Sequence, residues 1–253
     1  MTDFLWVASY PKSGCTWMRF IIAHLLFDVD ESKSLIRAMV PNMHDWEGPL
    51  DYSWQGAHPV KTHLAYQNLP SRMHSRRAIY IMRNPLDMID SAINYMCQNN
   101  AAMRDKFIDE FSRNGTIEPW GNTLGYSSWE ENVMSWTKED LGFPVLALKY
   151  EDMLEDTHSN IKKVADFLLI EINDEKIEKI VNETAFSNMK KIEEKELTSG
   201  VEGVFSDERL FDKENYRFMR SGKSGRHIEN FSEPELSILL KHFESGMKAL
   251  GYI

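Results

Sequence analysis

The sequence predicts an α/β domain in which a central, mainly parallel sheet is flanked by helices. Three observations lead to this prediction. Short apolar runs alternate with amphipathic helical patterns, the runs end in polar residues, and the first strand–loop–helix unit begins almost at residue 1. In sheets of this kind ligands bind beyond the carboxyl ends of the strands, so the polar residues there are the candidates for a functional site.

The first strand–loop–helix unit occupies about residues 4–25. Residues 4–8, with the sequence FLWVA, form a short apolar run that is broken by YPKSG at 10–14. The positions after the break have the i, i+3, i+4, i+7 spacing of an amphipathic helix: Met18, Ile21, Ile22 and Leu25.

Two further units have the same form. Residues 78–82 are a second apolar run, and Pro85 then provides a normal first turn for a helix that continues to about residue 96. Residues 145–148 are a third run, and the helix after it has an apolar face: Ile161, Val164, Ala165 and Leu168. Near the end of the chain, Ser232 and Glu235 form a capping box that begins a last helix.

Residues 190–230 differ from these units. They are rich in Lys, Glu, Ser and Gly and lack apolar periodicity, so we expect a long, partly mobile loop there. The chain has no internal repeat and no clear linker, which predicts a single domain over residues 1–253.

The composition of the chain excludes several classes of function before any motif is considered. The 253 residues carry a net charge of −10, so a general affinity for nucleic acid or anionic membrane is not expected. No apolar run reaches the roughly 20 residues of a membrane span, and the start of the chain lacks the pattern of a secretory signal. With two cysteines and no metal-binding motif, we expect a reduced, cytoplasmic enzyme without a metal.

The loop after the first strand is suited to bind a phosphate. Such a loop directs backbone N–H groups and the positive end of a helix dipole at one point. Lys12 adds a charge, Ser13 and Thr16 add hydroxyl donors, and Gly14 permits a close approach. An ordinary turn is about equally compatible with these residue types. The loop is not a Walker A loop, because Lys12 precedes the glycine instead of following it.

Six short segments, spread over residues 10–222, have the composition and order of motifs known together in one family. They are YPKSGCTW at 10–17, KTHL at 61–64, RNPLD at 83–87 with Ser91, YEDM at 150–153, TAFSNM at 184–189 and FMRSG at 218–222. As a set they resemble the cytosolic-type sulfotransferases, in a bacterial-like form, which use 3′-phosphoadenosine 5′-phosphosulfate (PAPS). The resemblance implies a P-loop-like three-layer domain that transfers the sulfuryl group to a hydroxyl of a small or mid-sized acceptor.

The resemblance also implies roles for individual residues. Lys12, Lys61 and His63 would be catalytic, with His63 as the general base. Arg83 and Ser91 would bind the 3′-phosphate. The full set expected to contact PAPS, or its product 3′-phosphoadenosine 5′-phosphate (PAP), is Lys12, Ser13, Gly14, Cys15, Thr16, Trp17, Arg83, Ser91, Tyr150, Thr184, Phe186, Met189, Phe218, Arg220, Ser221 and Gly222.

These residue types suit sulfuryl transfer, an in-line displacement in which a protein mainly positions the reactants and stabilises charge. A histidine can take the acceptor's proton near neutral pH, and His63 follows a segment, residues 59–61, at an expected strand end. Lys61 lies two residues away, on the same side of an extended segment, and would stabilise the sulfuryl oxygens. Lys12 would stabilise the leaving 5′-phosphate.

Considered one at a time, several of these residues have simpler explanations. His63 is compatible with a surface or capping role, Arg83 with an exposed charge, and Trp17 and Phe186 with the core. Tyr150 is compatible with a strand-end tyrosine bonded to backbone. Two other functions also stay open: a small-molecule kinase with a divergent phosphate loop, and a non-catalytic module that binds the nucleotide.

The last motif departs from the family pattern. A lysine of the family is Ser221 here, and its aspartate, tryptophan and second lysine are Arg226, His227 and Ile228. We expect the charge of Lys223 or Arg226 to replace the missing one. The dimer-contact stretch of animal relatives, which would begin at Ile228, is not matched, so an oligomer is possible but not through that stretch. The acceptor is left open between phenols, steroid-like alcohols and other hydroxyls.

Overall fold

Four parallel strands form the centre of the molecule. The computed structural model describes residues 2–27, 29, 36–45, 47–70, 74–97, 100–137, 140–199, 203–205 and 217–253. The strands lie in the order β2-β1-β3-β4. Their bounds are β1 (Asp3–Ser9), β2 (Ala57–Thr62), β3 (Ser75–Met82) and β4 (Val145–Lys149).

Helices connect and cover the strands within these ranges. A short 3-10 helix, Tyr66–Asn68, follows β2. The α-helices are α1 (Cys15–Leu26), α2 (Ile36–Met39), α3 (Pro85–Cys97), α4 (Ala101–Asn114), α5 (Trp129–Thr137), α6 (Tyr150–Glu155), α7 (Thr157–Phe167), α8 (Asp174–Glu183), α9 (Phe186–Ser199), α10 (His227–Asn230) and α11 (Glu233–Ala249).

The sheet is buried on both faces because side chains of a strand alternate between them. Leu5 and Val7 of β1 belong to one buried cluster, which includes residues of α1, α7 and α8. Trp6 and Ala8 belong to a second cluster, with residues of α3, α4 and α11. The result is three layers, helices on each side of a parallel sheet, as predicted.

The predicted strands at 4–8, 78–82 and 145–148 lie within β1, β3 and β4, and the capping box at the start of α11 is present. The prediction of a loop over residues 190–230 is wrong at both ends. Helix α9 continues to Ser199, and α10 occupies the last four residues of that range. The buried positions of α9 are Met189, Glu193 and Glu196, so carboxylates stand where an apolar pattern was sought. Residues 200–202 and 206–216 of the predicted loop lie outside the described residues.

Parallel strands bring their carboxyl ends to one edge of the sheet. In the register, Ala8 lies beside Thr62 and Ser9 beside Ile81. The motif segments that begin at residues 10, 83 and 150 follow β1, β3 and β4 at that edge, and the segment at 61–64 spans the end of β2. In the described ranges no helix is both long and apolar enough to cross a bilayer.

Candidate active site

The β1–α1 loop, residues 10–14, makes a tight turn at the sheet edge. Lys12 has φ +65° and Gly14 has φ +101°. A Cβ atom at Gly14 would lie 2.6 Å from Cδ2 of Tyr150, the residue that follows β4. Only glycine fits there, because both the backbone angle and the Tyr150 ring exclude a side chain. The loop is thereby held against the end of a strand two positions away in the sheet.

Three buried donors around this loop find no partner within the described part of the chain: Ser13 Oγ, Trp17 Nε1 and Arg83 Nε. Leaving a buried donor unpaired costs about 1–3 kcal/mol, so such groups usually have a ligand or a water to bind. All three are donors, and cations lie beside them. The site therefore fits an anion that is rich in acceptor oxygens.

Arg83 joins the β1–α1 loop to the C-terminal segment, which we define as residues 217–230. Its Nη1 donates to the Lys12 carbonyl at 3.0 Å and its Nη2 to the Lys223 carbonyl at 3.2 Å. The guanidinium also lies over the Tyr150 ring, 4.5 Å from its centroid. These contacts fix the plane of the guanidinium, while Nε stays available to a ligand.

The Lys12 ammonium lies between two aromatic rings, 3.9 Å from the centroids of Tyr95 and Phe218. Burial lowers the pKa of Lys12 to about 7, and the neighbouring charges of Arg83 and Lys61 contribute to the decrease. Near neutral pH this group is therefore poised between its charged and neutral forms, and a bound anion would favour the charged form.

Carboxylates of α3 bind the C-terminal segment. Asp87 accepts hydrogen bonds from the Gly225 amide at 2.6 Å and from the His227 amide at 3.2 Å, and it lies 2.8 Å from His227 Nδ1. Burial alone would raise the pKa of Asp87, but these hydrogen bonds lower it below its ordinary value. Asp90 pairs with the Arg220 guanidinium. His227 therefore anchors the segment to α3.

The His63 ring is held in place by a backbone carbonyl at the end of β1. Its Nδ1 lies 2.7 Å from the Ser9 carbonyl, which can only accept, so Nδ1 carries the proton and Nε2 is left as an acceptor. Burial and the charge of Lys61 lower the pKa of His63 well below its ordinary value. The imidazole is therefore neutral near neutral pH, the form that a base needs.

A family model described as a sulfotransferase domain matches residues 2–251. The chain belongs to the sulfotransferase family. Sulfotransferase 1B1 of Canis lupus familiaris is 30% identical over 206 residues, which are 74% of this chain and 66% of that protein. Sulfotransferase 1E1 of Homo sapiens is 27% identical over 263 residues, with 97% of this chain and 84% of that protein covered. The family resemblance seen in the sequence motifs is confirmed.

Solved structures share the fold. A mouse sulfotransferase, SULT7A1 complexed with PAP, aligns with a TM-score of 0.68 at 24% identity and covers 99% of this chain and 89% of its own. Retinol dehydratase, in complex with androsterone and inactive cofactor PAP, aligns with a TM-score of 0.66 at 21% identity. The alignment covers 96% of this chain and 80% of the retinol dehydratase chain. The predicted P-loop-like three-layer architecture is confirmed as that of a sulfotransferase.

The sulfotransferase carries residues around His63 that sequence reasoning missed. The Asn132 side-chain amide donates to the carbonyls of His63 at 2.9 Å and Tyr126 at 2.7 Å, and its oxygen accepts from the Tyr80 hydroxyl at 2.7 Å. The rings of His44 and His63 lie 5.2 and 5.6 Å from that of Tyr126. Asn132 lies 69 residues from His63 in the chain, and no motif identified it.

Some predicted contact residues of this sulfotransferase have side chains in the core. The Thr184 hydroxyl donates to the Ile180 carbonyl at 2.8 Å, the Cys15 thiol donates to the Val7 carbonyl at 3.4 Å, and Met189 is buried in a core cluster. The structure places the other predicted residues as follows. Trp17 meets the Tyr150 ring edge-on at 5.8 Å, Gly222 lies against the Phe186 ring, and Thr16, Ser91 and Ser221 are half-buried.

Proposed function

We propose that this sulfotransferase transfers the sulfuryl group of PAPS to a hydroxyl of a small or mid-sized molecule, with His63 as the general base. The observation that carries the proposal is the hydrogen bond of His63 Nδ1 to the Ser9 carbonyl, which leaves Nε2 unprotonated, while the charge of Lys61 acts on the same ring. The fold neighbours crystallised with PAP support the identity of the donor.

The donor would bind at the β1–α1 loop. Ser13 and Lys12 suit its 5′-phosphosulfate, because one offers an unpaired buried hydroxyl and the other a positive charge. Arg83 Nε suits the 3′-phosphate, and half-buried Ser91 lies eight residues further on, in α3. Trp17 and Phe186 suit the adenine. The hydrogen-bond donors and cations around the loop therefore suit a ligand that carries phosphate groups at both the 3′ and the 5′ positions of its ribose.

The chemistry then needs little covalent participation from the protein. His63 Nε2 takes the proton of the acceptor hydroxyl as the new O–S bond forms and the S–O bond to the 5′-phosphate breaks. Lys61 stabilises the negative charge on the sulfuryl oxygens, and Lys12 stabilises the charge that appears on the departing phosphate. The proton held on Nδ1 by Ser9 keeps the ring oriented throughout.

A transfer assay tests this proposal. The purified protein is incubated with labelled PAPS and a metabolite extract, without magnesium, and labelled products are identified by mass. Sulfated product is expected, and its rate of formation should fall by about 100-fold or more with His63→Ala while PAP still binds. Transfer that depends on ATP and magnesium would instead indicate a kinase. Binding of PAP without transfer to any acceptor would indicate a non-catalytic nucleotide-binding module.

A further inference from the structure

Helix α9 presents two buried carboxylates to the chain that follows it. The side chains of Glu193 and Glu196 lie three residues apart, on one side of the helix, and the residues are only 1% and 2% exposed. None of the sequence motifs includes either residue. Lys, Glu, Arg and Asp are almost never fully buried unless they are paired, so two such carboxylates side by side call for an explanation.

Each carboxylate binds two consecutive backbone amides. Glu196 accepts from Val204 N–H at 3.2 Å and from Phe205 N–H at 2.8 Å. Glu193 accepts from the N–H groups of Phe218 and Met219, the latter at 3.1 Å. Both oxygens of each side chain are used, which fixes the two amides more firmly than a single hydrogen bond would.

One of the two amides that Glu193 binds belongs to Phe218, whose ring covers Lys12. The Phe218 ring lies 3.9 Å from Lys12 Nζ, with Tyr95 at the same distance. The Phe218 ring also contacts Phe205 at 5.6 Å, so the two amide pairs are joined through their aromatic side chains. A chain of direct contacts thus runs from Glu193 through Phe218 to the ammonium at the β1–α1 loop.

We propose that Glu193 is a positioning residue of the PAPS site, which acts through the backbone of Phe218 and Met219 to hold the Phe218 ring against the Lys12 ammonium. The inference rests on the proposed function. If the Lys12 side chain is already held in place before the ligand arrives, binding does not have to order it, so less conformational entropy is lost on binding. Glu196 binds the amides of Val204 and Phe205 in the same way, about one helical turn further along α9.

Electrostatics support the geometry. Charged side chains from distant parts of the described chain act on the pKa of Lys12. The positive charges of Arg83, Lys61 and Arg220 lower its pKa, and Glu193 alone among them raises it. Burial raises the pKa of Glu193 itself, while its amide hydrogen bonds and the charges of Arg217 and Lys12 oppose that increase. Removing the Glu193 charge should therefore shift the deprotonation of Lys12 to lower pH.

The test compares Glu193→Gln with Glu194→Gln, which removes the same charge from an exposed neighbour on α9. PAP affinity is measured by calorimetry from about pH 6 to pH 9. We expect Glu193→Gln to weaken PAP by about 10-fold and to shift the alkaline loss of affinity to lower pH. Glu194→Gln should change neither quantity. If Glu193→Gln has the affinity and pH profile of the wild type, the proposal is overturned.

A double-mutant cycle with Phe218→Leu separates positioning from general destabilisation. This substitution removes the ring but keeps the amides that Glu193 binds. If Glu193 acts through Phe218, the double variant should bind PAP no more weakly than the weaker single variant. Independent, multiplying losses would refute the proposal. A wild-type protein that does not bind PAP would refute the proposed function instead, so the two failures are distinguishable.

Discussion

Raising the pH above neutrality is expected to slow the reaction of this sulfotransferase with PAPS. Burial and the charges of Arg83 and Lys61 lower the pKa of Lys12 from 10.5 to about 7. The ammonium is therefore present below about pH 7 and is lost as the pH rises through that value. His63 should not limit the rate on the acid side near pH 6, because its pKa lies well below its ordinary value and the imidazole stays neutral.

The size of the effect follows from the charged fraction of Lys12. With a pKa of about 7, roughly one tenth of the free enzyme carries the charge at about pH 8 and one hundredth at about pH 9. The value of kcat/KM for PAPS reports the free enzyme. It should therefore fall to about one tenth of its low-pH value at about pH 8 and to about one hundredth at about pH 9. At saturating PAPS the donor's phosphates raise the pKa of Lys12, and kcat should stay level to higher pH.

The assay measures initial rates of transfer from PAPS to an aliphatic alcohol, which does not titrate in this range, between about pH 6 and pH 9. Lys12→Arg is the control, since arginine keeps its charge throughout the range. A constant kcat/KM in the wild type would refute the reasoning. A decrease with the same midpoint in Lys12→Arg would assign it to another group.

Three substitutions test other parts of the site. His63→Ala should lower kcat by about 100-fold or more and leave PAP affinity unchanged, as measured by rates and calorimetry; equal activity would remove His63 from the mechanism. Arg83→Ala should weaken PAPS and PAP alike, by about 10- to 150-fold in Kd, because both carry the 3′-phosphate. Gly14→Ala combines φ +101° with overlap on Tyr150 and should destabilise the fold by about 2–4 kcal/mol in thermal unfolding. Gly142→Ala, with φ +79° and open space around the new Cβ, should cost about 1–2 kcal/mol; equal losses would mean that Tyr150 moves aside.

The parts of this fold that could be predicted are those whose buried side chains are apolar. The runs that became β1, β3 and β4 are short, apolar and followed by loop-forming residues, and each was located. The β1–α1 loop could be predicted because its lysine, serine and glycine each serve the local chemistry of a strand-to-helix turn. Such signals lie within a few consecutive residues, so one sequence suffices to detect them.

The parts that could not be predicted depend on contacts between distant residues. In α9 two of the three buried positions are carboxylates, and amides such as that of Phe218, 25 residues beyond Glu193, offset the cost of burying them. Periodicity of apolar residues cannot reveal such a helix. Asn132 likewise gains its role only when the fold brings it to the carbonyl of His63. The aromatic contacts of Lys12 with Tyr95 and Phe218 have the same origin.

The thiol at the start of α1 gives the protein an internal reporter of its own opening. Cys15 directly follows Gly14, and burial raises the pKa of its thiol. The other cysteine, Cys97, is also buried, and its pKa is raised to about 11. Because the thiolate is the nucleophilic form, neither cysteine should react with an alkylating reagent while the structure is closed. Modification of Cys15 then requires the first turn of α1 to leave the core. Its rate of alkylation would measure how often the start of α1 opens, without the need to introduce a cysteine.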